Sequence, residues 1–238
     1  MKNQYFGDVN DYRKYGLLRI LARRSGLSIG VCWLLTPDDG GTDGELRRYL
    51  KDPQRWRQYD PELYDQLRSL LEPGVPRTVQ LAKEWALIPG TSYFEALLED
   101  DSTQRDAYFV AAWTALRTCE LLFVDPDNGI EVQSTRRGAR GSAKYLYWQE
   151  LRQAYANGRS VLVYQQFPHV QREPFVPFLA GRIAEELQGA QVIGFETSQV
   201  AFFLLAQPGH VAVLRSAAQD AASTWRGQIS LRYGAGPA

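Results

Sequence analysis

The chain has 238 residues, 45% of them hydrophobic and 23% charged, enough to bury a substantial core within one large α/β domain. Its 27 Lys and Arg balance 27 Asp and Glu, which excludes a global basic field and leaves nucleic-acid contact to a local patch. No apolar run approaches the roughly 18–20 residues that span a bilayer, and the opening Met1-Lys2-Asn3-Gln4-Tyr5-Phe6-Gly7-Asp8 has no apolar signal core. Cys32 and Cys119 both lie in apolar runs, as small buried hydrophobes do in a reducing compartment. The expectation is a cytoplasmic protein that neither enters a membrane nor is secreted.

Leu17, Leu18, Ile20 and Leu21 recur at helical spacing between Tyr12 and Arg24, and Ser25-Gly26 supplies a stop, so the first element is predicted as an amphipathic helix with Asp11 as its N-cap. Leu27 to Leu35 is nearly continuous apolar sequence and reads as a buried strand, closed by the loop formers Thr36-Pro37-Asp38-Asp39-Gly40-Gly41. Residues 46–98, interrupted by Pro53, Pro61, Pro73, Pro76 and Pro89, are expected to form a helical insertion or cap within a single domain spanning 1–238. The aromatic richness there, from Trp56, Tyr59, Tyr64, Trp85 and Tyr93, is read as helix packing.

From Thr103 the pattern alternates: helix Gln104 to Leu116, strand Leu121 to Val124, a basic loop, helix Tyr145 to Tyr155, strand Ser160 to Tyr164 and helix Phe175 to Leu187. Strands alternating with helices imply right-handed crossovers and a largely parallel sheet. Three more strands come next, Gln191 to Phe195, Val200 to Ala206 and His210 to Leu214, the last two joined by the hairpin signal Gln207-Pro208-Gly209. The fold class is therefore α/β: a Rossmann-like three-layer arrangement, its mostly parallel sheet ending in an antiparallel hairpin. The tail from Tyr233 to Ala238 is expected to fray.

In such a sheet ligands bind outside the carboxyl ends of the strands. Three polar loops occupy those positions: Thr36 to Asp43, Asp125 to Glu131, and Gln165-Gln166-Phe167-Pro168-His169. The second is the most informative, because Leu121-Leu122-Phe123-Val124 enters the core and then delivers Asp125, Asp127, Asn128 and Glu131 within one turn. Carboxylates so close can share a proton, take a hard cation or orient a substrate amine. The plain alternative is an Asx-rich turn that caps its own backbone, with Gly129 at positive φ.

The segment 134–145 then supplies Arg136, Arg137, Arg140 and Lys144 among glycines, a composition that lets backbone approach phosphate while cations donate to it. A solvated surface loop is the competing reading. Lys144 stands apart, since it precedes a helix and can point back to Asp125 or Asp127. At the other end of the chain, Tyr5 to Tyr15 packs acids, lysine and aromatics ahead of the first helix, which nominates Asp8 and Lys14. Two histidines, His169 and His210, do not make a His-rich metal site or a His-centred triad; His169 is at most peripheral and His210 structural. Neither a phosphate-loop motif nor Gly-x-Gly-x-x-Gly is present.

These residues give the chain a resemblance to class I S-adenosylmethionine-dependent methyltransferases, and more narrowly to bacterial ribosomal-RNA adenine methyltransferases. Phe6-Gly7-Asp8 with Lys14-Tyr15 resembles their Phe-x-Asp segment with its later Lys-His, Ile29 to Gly44 takes the place of the cofactor loop, and Phe123-Val124-Asp125-Pro126 resembles the start of Asp-Pro-Pro-Tyr. Asp127-Asn128 stands where those enzymes have the Pro-Tyr that stacks adenine, and residues 36–41 lack Gly-x-Gly spacing. The resemblance implies S-adenosylmethionine as cofactor, met by Asp8, Lys14, Thr36, Asp38, Asp39 and Gly40. It also implies a catalytic turn of Asp125, Asp127 and Asn128, with Asp125 orienting a nucleophilic amine, and a nucleic-acid substrate held by Arg136, Arg137, Arg140, Lys144 and Gln165.

Two other functions compete. In a metal-dependent nuclease or phosphoesterase, Asp125, Asp127 and Glu131 would bind Mg²⁺ or Mn²⁺. In a non-catalytic module, the same crevice would bind a nucleotide or a partner.

Overall fold

Runs of uninterrupted apolar sequence gain nothing from a solvated face, and here they become strands covered on both sides. The structure is a computed structural model describing residues 1–41, 44–72, 74–168 and 175–233. In chain order its strands are β1 (Ile29–Cys32), β2 (Ser92–Phe94), β3 (Leu121–Val124), β4 (Gly129–Ile130), β5 (Tyr145–Leu146), β6 (Ser160–Gln166), β7 (Gln191–Glu196), β8 (Val200–Ala206) and β9 (Ser230–Tyr233). Seven of them form one sheet in the order β2-β1-β3-β6-β8-β7-β9, while β4 and β5 pair separately. β2, β1, β3 and β6 are parallel neighbours; β8 runs antiparallel between β6 and β7, and β9 antiparallel at the edge.

Eight α-helices are present among the described residues: α1 (Val9–Ser25), α2 (Pro53–Trp56), α3 (Pro61–Leu70), α4 (Gln80–Glu84), α5 (Ser102–Ala115), α6 (Trp148–Ala156), α7 (Phe175–Glu186) and α8 (Val211–Thr224). They cover both faces of the sheet, as the side-chain alternation of β3 shows. Leu121 and Phe123 join a core with α1, α3 and α8, whereas Leu122 and Val124 join one with α5, α6 and α7. Gly16 allows α1 to meet the end of α8, because a Cβ there would lie 2.0 Å from the Trp225 ring. The architecture is α/β with a mostly parallel sheet, compatible with a Rossmann-like fold. No helix among the described residues is long and apolar enough to cross a membrane.

Several sequence expectations shift. The hairpin is formed by β7 and β8, and residues 211–214 open α8 instead of forming a strand. Pro208 sits in the first turn of a short 3-10 segment leading into that helix, where its missing N–H is harmless, and Leu214, Ala217, Ala218 and Ala221 then recur at helical spacing on its buried side. Residues 46–98 hold α2, α3 and α4, but they also supply β2, which pairs parallel to β1. Three residues are too few to show alternation. α1 starts at Val9, not Tyr12, because Asp8 is its cap: the Asp8 side chain accepts from the backbone of Asn10 and Asp11. Residues 234–238 of the expected frayed tail lie outside the described residues.

Candidate functional site

β3 leaves the core at Val124, and the turn beyond it is folded inward. Asp125 is 2% and Asp127 8% exposed. The turn is pinned from two sides: Asn128 N–H donates to the Lys144 carbonyl at 2.9 Å, and β4 pairs with β5. Gln165 clamps it from β6, accepting from Ile130 N–H at 2.9 Å and donating to the Asn128 carbonyl at 3.0 Å. Gly129 at φ 111° passes directly over that amide, where a Cβ would stand 2.3 Å from Gln165.

The N-terminal segment closes the other side. Lys14 Nζ lies between Asp11 Oδ1 at 2.6 Å and Asp125 Oδ2 at 2.7 Å, and sits 5.5–5.9 Å from the ring centroids of Tyr15, Trp33, Phe123 and Tyr164. Burial alone would lower its pKa, but the two carboxylates hold it above its ordinary value. Burial raises the Asp125 carboxyl above the usual range, with Lys14 pulling it back. Asp11 also accepts from Gly7 N–H and the Tyr15 hydroxyl, so it is fully engaged. Burial and the neighbouring Asp11 push Asp8 up to about 7, against its backbone hydrogen bonds and Lys14.

Asp127 is held by the loop after β1. Leu34, at the strained φ of 44°, turns the chain so that its carbonyl accepts from the Met1 nitrogen, which also donates to the Asp125 carbonyl at 2.9 Å. The same nitrogen forms an ion pair with Asp127 Oδ1 at 2.5 Å. Thr36 donates to Oδ2 at 3.2 Å, and Lys2 lies 3.8 Å from it while pairing with Asp39 at 2.5 Å.

These groups enclose a polar hollow of about 310 Å³ at the carboxyl ends of β1 and β3. A second cavity, about 720 Å³, opens beside it at the end of β6, and the two share Asn128 and Gln166. The acidic turn is thus the partition between two spaces.

The expected site residues divide accordingly. Asp8, Lys14, Asp39, Asp125, Asp127, Asn128 and Lys144 line the polar hollow. Thr36 stands behind it as the support of Asp127. Asp38 and Gly40 are exposed outside it, Asp38 accepting from Gln4 N–H at 3.1 Å. Gln165 faces the larger cavity, but its amide is occupied by the turn backbone. Thr42, Asp43 and His169 lie outside the described residues. His210 is structural, its Nδ1 3.0 Å from Ser160 Oγ.

The basic loop departs furthest from expectation. Arg137 pairs with Asp106 at 2.5 Å and Glu150 at 3.0 Å, and Glu150 is also gripped by the fully buried Arg105 at 2.5 Å. The backbone donors expected to cradle phosphate already hold a carboxylate, because Asp100 accepts from Gly141 N–H at 2.6 Å and Ala143 N–H at 2.7 Å. Arg136 and Arg140 remain exposed and line neither cavity. Of the cations expected on phosphate, Lys144 alone reaches the hollow, and its ammonium has no partner among the described residues.

Sequence reasoning misses Asp11, Lys2 and Tyr164. Reading Asp11 as the helix cap conceals its pairing with Lys14 three residues on. Tyr164 follows from the period of a strand: Gln165 points to one face of β6, so its neighbour points to the other, into the hollow. Burial and Asp125 keep its phenol well above the ordinary pKa, hence neutral.

The metal trio does not assemble. Glu131 lines the larger cavity and accepts from Trp148 N–H at 3.1 Å, and among the described residues no group of three His, Cys, Asp or Glu side chains is placed to hold a metal ion. No protein-family model and no curated protein matches the chain.

Proposed function

We propose that this protein is a methyltransferase-like enzyme that moves a methyl group from S-adenosylmethionine to an amine of a nucleic acid, in a Rossmann-like framework. The sheet order carries the reading. Chain connections leave β1 toward β2 on one side and return to β3 on the other, so β1 and β3 flank a topological switch point, where open α/β sheets place their ligands. The acidic turn and the polar hollow lie at that point, and β8 inserted antiparallel beside β6 resembles the way the methyltransferase sheet ends.

The hollow suits a cofactor bearing both an ammonium and a carboxylate. Asp8 and Asp39 offer acceptors for the ammonium and ribose hydroxyls, and the unpartnered Lys144 offers a cation for the carboxylate. Its volume lies at the lower end of the roughly 300–1,000 Å³ usual for ligand sites. When bound, the cofactor supplies a methyl group activated on a sulfonium. The chain's own task is then positional: Lys14 fixes Oδ2 of Asp125, while Oδ1, which accepts nothing among the described residues, receives an N–H of the incoming amine. Methyl transfer needs an in-line approach more than a strong base, which suits a carboxyl held rigidly.

Calorimetry on the purified chain tests this. S-adenosylmethionine is expected to bind without added metal, Lys144→Met to weaken it about tenfold, and Mn²⁺ to give no heat. Heat from Mn²⁺ alone would instead favour the phosphoesterase reading, and heat from neither would favour a non-catalytic module.

A further inference from the structure

Lys2, Lys14 and Arg105, each 2% exposed or less, are all paired with carboxylates. Arg13 is 5% exposed and has no carboxylate in ion-pair range among the described residues. Arg159, buried and likewise unpaired, donates to the Trp113 carbonyl in the last turn of α5, where the negative end of a helix compensates a cation. Arg13 has no such help, since it lies near the opposite, positive end of α1. Burial pulls its pKa down to about 10, so the charge is held against a desolvation penalty.

Three carboxamides stand where a counter-ion would. Arg13 Nη1 donates to Asn10 Oδ1 at 3.3 Å and to Gln199 Oε1 at 3.2 Å, and Nη2 donates to Gln228 Oε1 at 2.7 Å. A guanidinium has donors only, so it fixes each amide with its oxygen inward and its nitrogen outward. None of those three nitrogens has an acceptor among the described residues, and all three side chains are half-buried. They bring together the start of α1, the β7–β8 turn and the segment ahead of β9. The result is a rim of N–H donors backed by an unneutralised charge. A second cation is close by: the guanidinium groups of Arg13 and of the exposed Arg55 each lie 5.4 Å from the Trp56 ring centroid. Arg55 also has no ion-pair partner among the described residues.

We infer that this rim is a phosphate-binding site. Asn10, Gln199 and Gln228 donate N–H groups to the phosphate oxygens, Arg13 supplies the charge behind them, and Arg55 closes on the ligand from solvent. A phosphate suits the set better than a carboxylate, because three outward amides and two cations exceed what two oxygens and one charge satisfy. Asn10 also lines the polar hollow, so the phosphate sits at the hollow's edge. Two sources carry this chemistry, a nucleic-acid backbone and a free phosphate or phosphate ester. The site stands for either, and it does not depend on methyl transfer.

Melting curves in chloride and in phosphate at equal ionic strength, with calorimetry against inorganic phosphate, provide the test. Phosphate at about five times its dissociation constant should raise the melting temperature by about 2–4 °C. Gln228→Glu sets a carboxylate against Arg13, so it should raise the melting temperature in chloride and abolish the further rise with phosphate. Arg55→Ser, at an exposed position, should leave the melting temperature in chloride unchanged and weaken phosphate binding about tenfold. No phosphate-dependent rise in wild type overturns the inference. So does a Gln228→Glu protein that is no more stable than wild type in chloride, or that still binds phosphate as wild type does. Competition with a short single-stranded RNA then separates the sources: a strand that displaces phosphate assigns the site to a nucleic-acid backbone, and one that does not assigns it to a free phosphate or phosphate ester.

Discussion

The acidic turn at 125–128 and the basic loop at 134–144 both combine charged side chains with glycine, and both read in the sequence as places to hold a ligand. In the folded chain their positions are reversed in one respect. The turn is buried and tightly braced from behind by Lys14, Thr36 and Gln165, yet it keeps free acceptors on its open side. The loop is at the surface, and its best donors are already satisfied by Asp100 and Glu150. Whether a polar group serves a ligand depends less on its type than on whether the fold has already given it a partner.

The sharpest way to break this contrast is to remove the brace. Lys14→Met leaves Asp11 and Asp125 buried without their cation and should cost about 3–5 kcal/mol in urea unfolding. A cost no larger than that of an exposed charge would mean the turn is not braced at all. Arg105→Met should cost a similar amount, since Arg105 and Glu150 are 0% and 1% exposed, yet leave the proposed S-adenosylmethionine binding intact in the fraction that folds. Gly129→Ala is smaller, about 1–3 kcal/mol, because it combines strain at φ 111° with displacement of Gln165.

A gentler probe is pH. In the unfolded chain Asp8 loses its proton near 3.8, whereas in the folded chain it keeps it to about 7. Across that window the folded state binds more protons, so raising the pH lowers stability, and the loss is complete above about 7. Asp8→Asn keeps a capping side chain and should flatten the decline between pH 5 and 8, measured as melting temperature against pH. An unchanged slope would place the titration elsewhere. The smallest effect expected is that of Asp100→Ala, about 1 kcal/mol, accompanied by faster proteolysis within 134–144.

Much of this architecture is legible in the residues. β3 and β8 can be bounded to the residue, because continuous apolar runs ending at Asp125 or Gln207 leave little choice of register. The helix at 211–224 reads as a strand because Pro208-Gly209 signals a turn without specifying the element after it, and only the later alanines carry the helical period. Within the site, Asp125, Asp127 and Asn128 stand out because packing does not require acids at the end of a core strand. Arg137 and Gln165 look like ligand groups but serve the fold, since their partners Asp106 and Asn128 are distant in the chain and invisible to spacing. Tyr164 is legible only through the alternation of β6, and Lys2 has no local signal beyond its place in the chain.

Hydrogen exchange with and without S-adenosylhomocysteine, the product of the proposed cofactor, examines both regions at once. Protection should concentrate in residues 1–14 and 125–130, around the polar hollow, and leave the amides of 138–143 unchanged. Slowed exchange confined to the basic loop, or none at either place, would contradict the proposal that the acidic turn faces a bound S-adenosylmethionine.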